Sequence, residues 1–307
     1  MSRFVLRRLA QNLLMLAVIV LAVFILMRLT AGDPARLKAP IFVSPEVLDR
    51  YRAEFGTDTP ILQQLLKFLS GLPRGDFGES FRYQVPVFGL IAERLPRTAL
   101  LALSALVVAV ATALWIGIAG ARKPDGPMDR LGLTLAALGQ SAPTFWVGLL
   151  LVMVFSVRLG WFPAVGFQGP ISLVLPTLAI ALAVLPTDLR VIRTGMLDSL
   201  SQDYVRTARA FGISDARITY GYALRNAALP LITVVGIDLG YLLGGTIVTE
   251  VVFNYPGLGQ LAIDAVNARD YPLVQAITIV TAAIFVFVNL FIDIVYMALD
   301  PRIRIEA

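Results

Sequence analysis

The chain contains neither histidine nor cysteine, and this limits the chemistry open to it. Imidazole is the commonest general base and metal ligand, so acid–base work falls to carboxylates alone. No disulfide or thiolate metal site can form. No GxxxxGK[ST] segment offers a backbone cradle for nucleotide phosphates. The carboxylates that stand out are Asp188, Asp238 and Asp293, each set within apolar sequence. A charge there is costly in hydrocarbon and must face protein, a partner or water. Asp188 precedes Arg190 and Arg193 and reads as half of a structural ion pair. Asp293, about two helical turns before Asp300, reads the same way, whereas Asp238, with Tyr241 beyond it, reads as a group able to line a polar path. Gln140, Ser141 and Thr144 flank Pro143. A proline kink frees backbone groups beside those polar side chains, as expected of a helix lining a water-filled path. Such residues can guide a solute but form no nucleophile–base pair, so the chain is expected to do no covalent chemistry and to hold no cofactor or metal.

The elements that position these residues follow from composition. Of 307 residues, 57% are hydrophobic and 15% charged, more apolar surface than a soluble core hides. Apolar runs fall at 9–29, 99–121, 131–157, 172–191, 229–251 and 274–299. Each is near the ~20 residues that cross a bilayer as a helix. The expectation is an all-α integral membrane protein with six transmembrane helices. The first run follows Arg3, Arg7 and Arg8, is too long for a removable signal, and reads as a retained span. With the amino terminus inside, the short inner segments hold Arg122, Lys123, Arg130, Arg206, Arg209, Arg217, Arg225, Arg302 and Arg304, and the short outer loops only Arg158 and Arg269. This is the positive-inside pattern, with both termini cytoplasmic. It also accounts for the net charge of +5 without nucleic acid, leaving lipid as the surrounding partner.

Three parts follow: residues 1–30 with the first span, a small extracytoplasmic subdomain at 31–98, and a five-span core at 99–307. The outer segment's nine basic residues are balanced by eight acids, and loops this long escape the charge rule. Helical spacing from Ile61 to Leu69 and the turn at Arg74–Gly78 fit a small folded cap. The turn-rich Phe253–Gly259 precedes Leu261, Ile263 and Val266, a pattern for a short re-entrant or surface helix. Gly236, Gly240 and Gly244 recur every four residues, a face that lets another helix approach.

Residues 198–230, DSLSQDYVRTARAFGISDARITYGYALRNAALP, are too polar for membrane. Ser201 or Asp203 can cap a helix running to Phe211. Gly212 can end it in the left-handed conformation, and Ser214 can cap a second short helix. Pro230 suits the first turn of the fifth span. The product is a bent knob that a moving partner can push.

The Ala208-Arg209-Ala210 stretch followed by Gly212, with Leu229-Pro230 beyond it, resembles the EAA loop of ATP-binding-cassette importer permeases. YVRTARAFG, ALRNAALPLITVVG, VFNYPGLGQL with ARDYPLVQ, RGDFGES, ERLPRT, GQSAPTFWVGLL and ALDPRIR are similar to the dipeptide/oligopeptide/nickel permeases, in their first-permease branch. The motifs run the length of the chain in order. Arg206 stands near the place of the glutamate that names the loop, and Phe211 where that branch carries lysine. The resemblance implies a type I importer fold and half of a translocation pathway completed by a second, homologous permease. It also implies two ATPase subunits that hold ATP and Mg, and an extracytoplasmic solute-binding protein, in a bacterial inner membrane. It makes 212–220 a coupling helix. Ala208, Arg209, Phe211 and Gly212 lead into it, and Ile213, Ser214, Asp215, Arg217, Ile218 and Tyr220 form it, with Ile213, Ile218 and Tyr220 offering apolar area and Arg209 and Arg217 charge. Peptides are the implied cargo, with nickel chelates, oligosaccharides and opines as alternatives. An ion-coupled secondary transporter, the other class, would show inverted halves, and no repeat is evident.

Overall fold

The structure, a computed structural model, describes residues 2–30, 44–55 and 58–299. The segment 31–43 and the end from Asp300 onward lie outside the described residues, as does the side chain of Asp293. In chain order the helices are α1 (Ser2–Thr30), α2 (Pro45–Phe55), α3 (Ile61–Gly71), α4 (Val87–Arg122), α5 (Pro127–Ser141), α6 (Thr144–Leu151) and α7 (Val174–Leu200). They continue with α8 (Asp203–Ala210), α9 (Asp215–Arg217), α10 (Leu224–Gly245), α11 (Ile247–Val252), α12 (Leu258–Asn267) and α13 (Tyr271–Leu299). Among the described residues, five helices are long and apolar enough to cross a membrane, and a bent pair makes six if it is counted as one broken span.

That pair corrects the expectation of one continuous span at 131–157. α5 and α6, with the π-helical turn Val152–Arg158 that continues α6, meet at 109°. The cause is Pro143, which disfavours helical geometry at the residue before it. Ala142 is accordingly extended, with ψ 125°. The fifth span is corrected too. The helix does not begin near Pro230 but runs unbroken from Asp215 to Gly244, so Pro230 lies in its interior. A third difference lies at α4, whose 36 residues start well before the apolar run at 99–121. At 1.5 Å per residue it is about 54 Å long, so its first three turns project beyond the hydrocarbon.

Small residues set the packing distances. At the Gly212 end, Ala113 and Ile116 of α4, Leu189 and Ile192 of α7 and Ala227 and Leu231 of α10 form one buried cluster. Toward the opposite end, Leu101, Ala105 and Ala109 of α4, Leu175 and Ala179 of α7 and Leu242 of α10 form a second. Asp129 ties α5 to α7, accepting Arg193 Nη2–H at 2.8 Å and a second bond from Arg193 Nε. Gly236 and Gly240 let α10 approach Ile292 and Phe285 of α13, the role their spacing predicts.

The closest approach exploits a proline. Pro186 has no N–H to bond the Leu182 carbonyl one turn back, and Gly139 of α5 packs into that notch. A Cβ on Gly139 would stand 2.3 Å from Leu182 O and 2.8 Å from the Pro186 ring. Gly139→Ala should therefore force α5 from α7 and cost about 1–3 kcal/mol. Gly89→Ala, where a Cβ meets nothing within 4 Å, should be neutral or stabilising. Unfolding of the detergent-solubilised chain distinguishes them; equal midpoints would contradict the close contact.

Candidate functional site

The knob between α7 and α10 is built from a helix that must stop. α8 ends as Phe211, and Gly212 takes φ +75°. Ile213 N–H then bonds Ala208 O at 3.1 Å and Gly212 N–H bonds Arg209 O at 2.9 Å. This is the paired closure of a Schellman turn, which satisfies otherwise orphaned carbonyls. A Cβ on Gly212 would meet no atom within 4 Å, so the requirement for glycine is conformational. Ser214 holds the cap position of α9, but its hydroxyl makes no cap bond. Gln202, not Ser201 or Asp203, precedes α8, and Ser201 Oγ–H bonds Asp198 O at 2.8 Å.

Two groups of side chains separate here. Val205, Ala208 and Ile218 are buried together, with Leu200 and Ile213 packed on them. Ile218 therefore offers no area to a partner, which corrects its expected role; it holds the knob's two limbs together. Outward stand Phe211, 81% exposed, and Tyr220, 55% exposed, with exposed Arg209, Ser214, Asp215 and Arg217. Arg209 Nε pairs with Asp215 Oδ1 at 3.3 Å across the bend, and Asn226 Nδ2–H bonds Tyr204 OH at 3.2 Å. The π-helical turn Ile218–Ala223 joins α9 to α10 without a break.

The polar residues of the spans are not gathered into one site. Exposed Gln140 accepts Arg190 Nη2–H at 2.9 Å through Oε1, while Arg190 Nε–H bonds Pro186 O at 3.1 Å. Ser141 Oγ–H turns back to Ala137 O at 2.8 Å, and Thr144 is half-buried at the start of α6. Tyr241 is exposed on α10. Asp188 departs from expectation: Arg190 and Arg193 are engaged elsewhere, and its buried carboxyl faces that of Asp238 across α7 and α10.

At the opposite end lies an arrangement that sequence reasoning missed. Glu250, fully buried in α11, accepts Thr98 and Thr246 hydroxyls on Oε1 at 2.7 and 2.9 Å. Its Oε2 accepts Gly259 and Gln260 N–H at 2.7 and 3.1 Å, and Leu258 N–H bonds Thr98 Oγ1 at 2.8 Å. A helix leaves its first N–H groups without internal partners; those of α12 are met by a remote carboxylate and hydroxyl. Gly257 exists for that approach, since a Cβ there would fall 2.3 Å from Glu250 Oε2. Tyr255 fills the loop with its ring buried. Burial, with the Glu250 charge adding to it, pushes its phenol up to about 12. It stays protonated and donates to Arg97 O at 3.2 Å. Buried Asp270 fastens the 72–86 turn by accepting Ser80 Oγ–H and, at 3.0 Å, Arg82 N–H.

The family model for the binding-protein-dependent transport system inner membrane component matches residues 113–305, and that for the N-terminal part of such membrane components matches 1–102. The chain belongs to the family of binding-protein-dependent transport system inner membrane components. It is 40% identical over 304 residues, 99% of both chains, to the glutathione transport system permease protein GsiC of Escherichia coli K12, and equally so to that of Salmonella typhimurium LT2. The MetNI methionine ABC transporter in an inward-facing form superposes with a TM-score of 0.53 at 16% identity, covering 69% of this chain and 96% of that one. An amino acid ABC transporter with histidines gives 0.52 at 18%, covering 70% and 94%. The resemblance read from the motifs and the type I fold are borne out. Membership makes the chain a multi-pass inner-membrane permease, a transport component that works with ATPase subunits and a binding protein.

The signal for Glu250 was available, as an acid closing an apolar run just ahead of a glycine-rich turn. Glu250→Leu should leave two backbone N–H groups and two hydroxyls without their acceptor, costing about 2–5 kcal/mol. Glu250→Gln keeps a carbonyl for the N–H pair and should cost about 1 kcal/mol. Amide exchange at 258–260 and transport should both fail in the leucine variant and recover largely in the glutamine one. Equal behaviour of the two would remove Glu250 from this role.

Proposed function

We propose that this chain is one of two unlike permeases that together enclose a path for short peptides, driven by two ATPase subunits, one of which docks on the knob at 202–220. The observation that carries the reading is the Schellman turn at Gly212, which presents exposed Phe211, Arg209, Arg217 and Tyr220 at the foot of an unbroken helix to Gly244. A groove on an ATPase that takes an aromatic anchor rimmed by arginines has the chemistry of a binding hot spot. A push on the knob travels along α10 as along a rod, and along α7 through the buried Val205, Ala208 and Ile218. The arginine distribution supports a cytoplasmic knob, cytoplasmic termini and an outer face formed by 31–98 and the Phe253–Asn267 loop. Gln140, Ser141, Thr144, Asp238 and Tyr241 are the groups assigned to the path. Peptide cargo is supported by the relatives' named substrate, glutathione, itself a tripeptide.

Gly212→Val should strain the turn by about 1 kcal/mol or more, weakening ATPase docking while membrane insertion persists. Co-purification of the ATPase subunits and peptide-stimulated hydrolysis are the measurements; full retention of both would send the coupling role to the 122–130 segment. The orientation has its own test. A cysteine at Gln63 should react with an impermeant thiol reagent in intact spheroplasts, and protection there would invert the topology. Uptake of labelled glutathione and dipeptides by the assembled importer tests the cargo, and transport of neither would displace the peptide reading.

A further inference from the structure

Helix α3 belongs to the segment between the first two spans, and nothing assigned above gives it a role. Its sequence, ILQQLLKFLSG, is amphipathic. At about 100° per residue, Ile61, Leu62, Leu65, Leu66, Phe68 and Leu69 form one continuous apolar sector, and Gln63, Lys67 and Ser70 fill the sector opposite.

The apolar sector has two parts with different surroundings. One edge touches α1: the Phe68 ring lies 5.8 Å from that of Phe24, and Arg28 Nε–H bonds Gln64 Oε1 at 3.0 Å. The other edge makes no comparable contact among the described residues, with Leu62 66% and Leu66 59% exposed. Ile61 and Leu69 are exposed beside them. On the helical wheel this bare edge lies about 150° from the α1 contact, and the polar sector of Gln63, Lys67 and Ser70 lies between the two on the remaining side. With Phe68 and Gln64 turned to α1, the bare apolar edge faces away from that helix, and the polar face is turned to a different side again.

The depth of α3 is fixed by where it meets α1. Phe24 and Arg28 lie in the last turns of a crossing segment that runs Arg8–Leu29. The Arg28 guanidinium sits 3.3 Å from the Phe24 ring centroid, a cation at the end of a span with its stem along apolar surface. Arginines so placed reach for the headgroup layer. Val18, Leu21 and Ile25 of α1 are exposed within that crossing segment, and α3 meets α1 at its outer end, beside Phe24 and Arg28. An exposed leucine-rich edge at this level, continuous with a lipid-covered helix, has the form of an interfacial helix.

We propose that α3 is a bilayer-surface helix whose Leu62, Leu66 and Leu69 edge is buried in the outer leaflet's headgroup–acyl boundary, with Lys67 directed to the aqueous side. The inference needs only that α1 crosses the membrane; its outer placement rests on the orientation proposed above. It makes the first external segment a float that sets the height of the α1 terminus, in addition to any cover it gives the pathway.

The absence of native cysteine allows single-cysteine probes at Leu62, Leu66, Leu69, Gln63 and Lys67. The assembled importer carrying each, reconstituted in bilayers and labelled with a fluorophore, is quenched by iodide from water and by lipids brominated near the headgroup. Labels at Leu62, Leu66 and Leu69 should be quenched by brominated lipid and be at least threefold less sensitive to iodide than those at Gln63 and Lys67. Equal iodide access at all five positions would overturn the proposal. So would shielding of the leucine positions from both quenchers, which would mean that the second permease covers this edge. Because ATPase docking plays no part in these readings, they stand or fall apart from the coupling assignment.

Discussion

A chain that enters hydrocarbon must satisfy its own backbone, because each unmatched N–H or C=O there costs several kcal/mol. Uninterrupted helices meet that demand without help. The informative places are the breaks. At Ala142–Pro143 the break falls at a residue with no N–H to satisfy, and Trp146 and Val147 N–H both find Pro143 O, at 3.0 and 3.1 Å. At Thr246 the helix turns aside into α11 and then into a tight loop, and the new helix α12 starts with donors that have no partner within their own helix. There Glu250 supplies what the backbone lacks, bringing four donors onto one carboxylate. The break at Gly212 differs because both sides are polar, so a Schellman turn suffices.

Function follows from where these breaks lie. The Gly212 turn and the Glu250 latch sit at opposite ends of α10 and α11, and between them α10 packs on α7 and α13 through glycine and alanine. Close contact through small residues leaves little room for sliding. On the proposed coupling role, a displacement of the knob would be carried to the level of Asp238 by helices whose neighbours are fixed, and the loop that Glu250 holds is tied back to α4 through Thr98.

The residues legible in the sequence are those whose role is local. Gly212, Pro143 and the PGLG turn announce a break because glycine and proline restrict or free their own backbone. The length of α4 was not legible, since Glu93, Arg94, Pro96 and Arg97 separate its short apolar start at 87–92 from the run at 99–121. Nor were the partners of buried acids. Asp188 stands near two arginines in sequence, yet α7 turns those arginines toward Asp129 and Gln140, elsewhere on the bundle. Glu250 meets Thr98 across 152 positions, a pairing that only the folded bundle creates. Ile218 reads as a docking residue by type, and only the packing of α8 shows that it faces inward.

The central claim is that the knob and the α7–α10 pair move as one body. Spin labels at Ser214→Cys and Thr187→Cys, both exposed positions in a chain without native cysteine, measure it by dipolar spectroscopy in the assembled importer, with and without ATP. The account predicts an intramolecular distance constant to about 2 Å while the knob moves relative to the second permease. A change between Ser214 and Thr187 of about one helical turn, ~5 Å, with α7 unmoved, would contradict it.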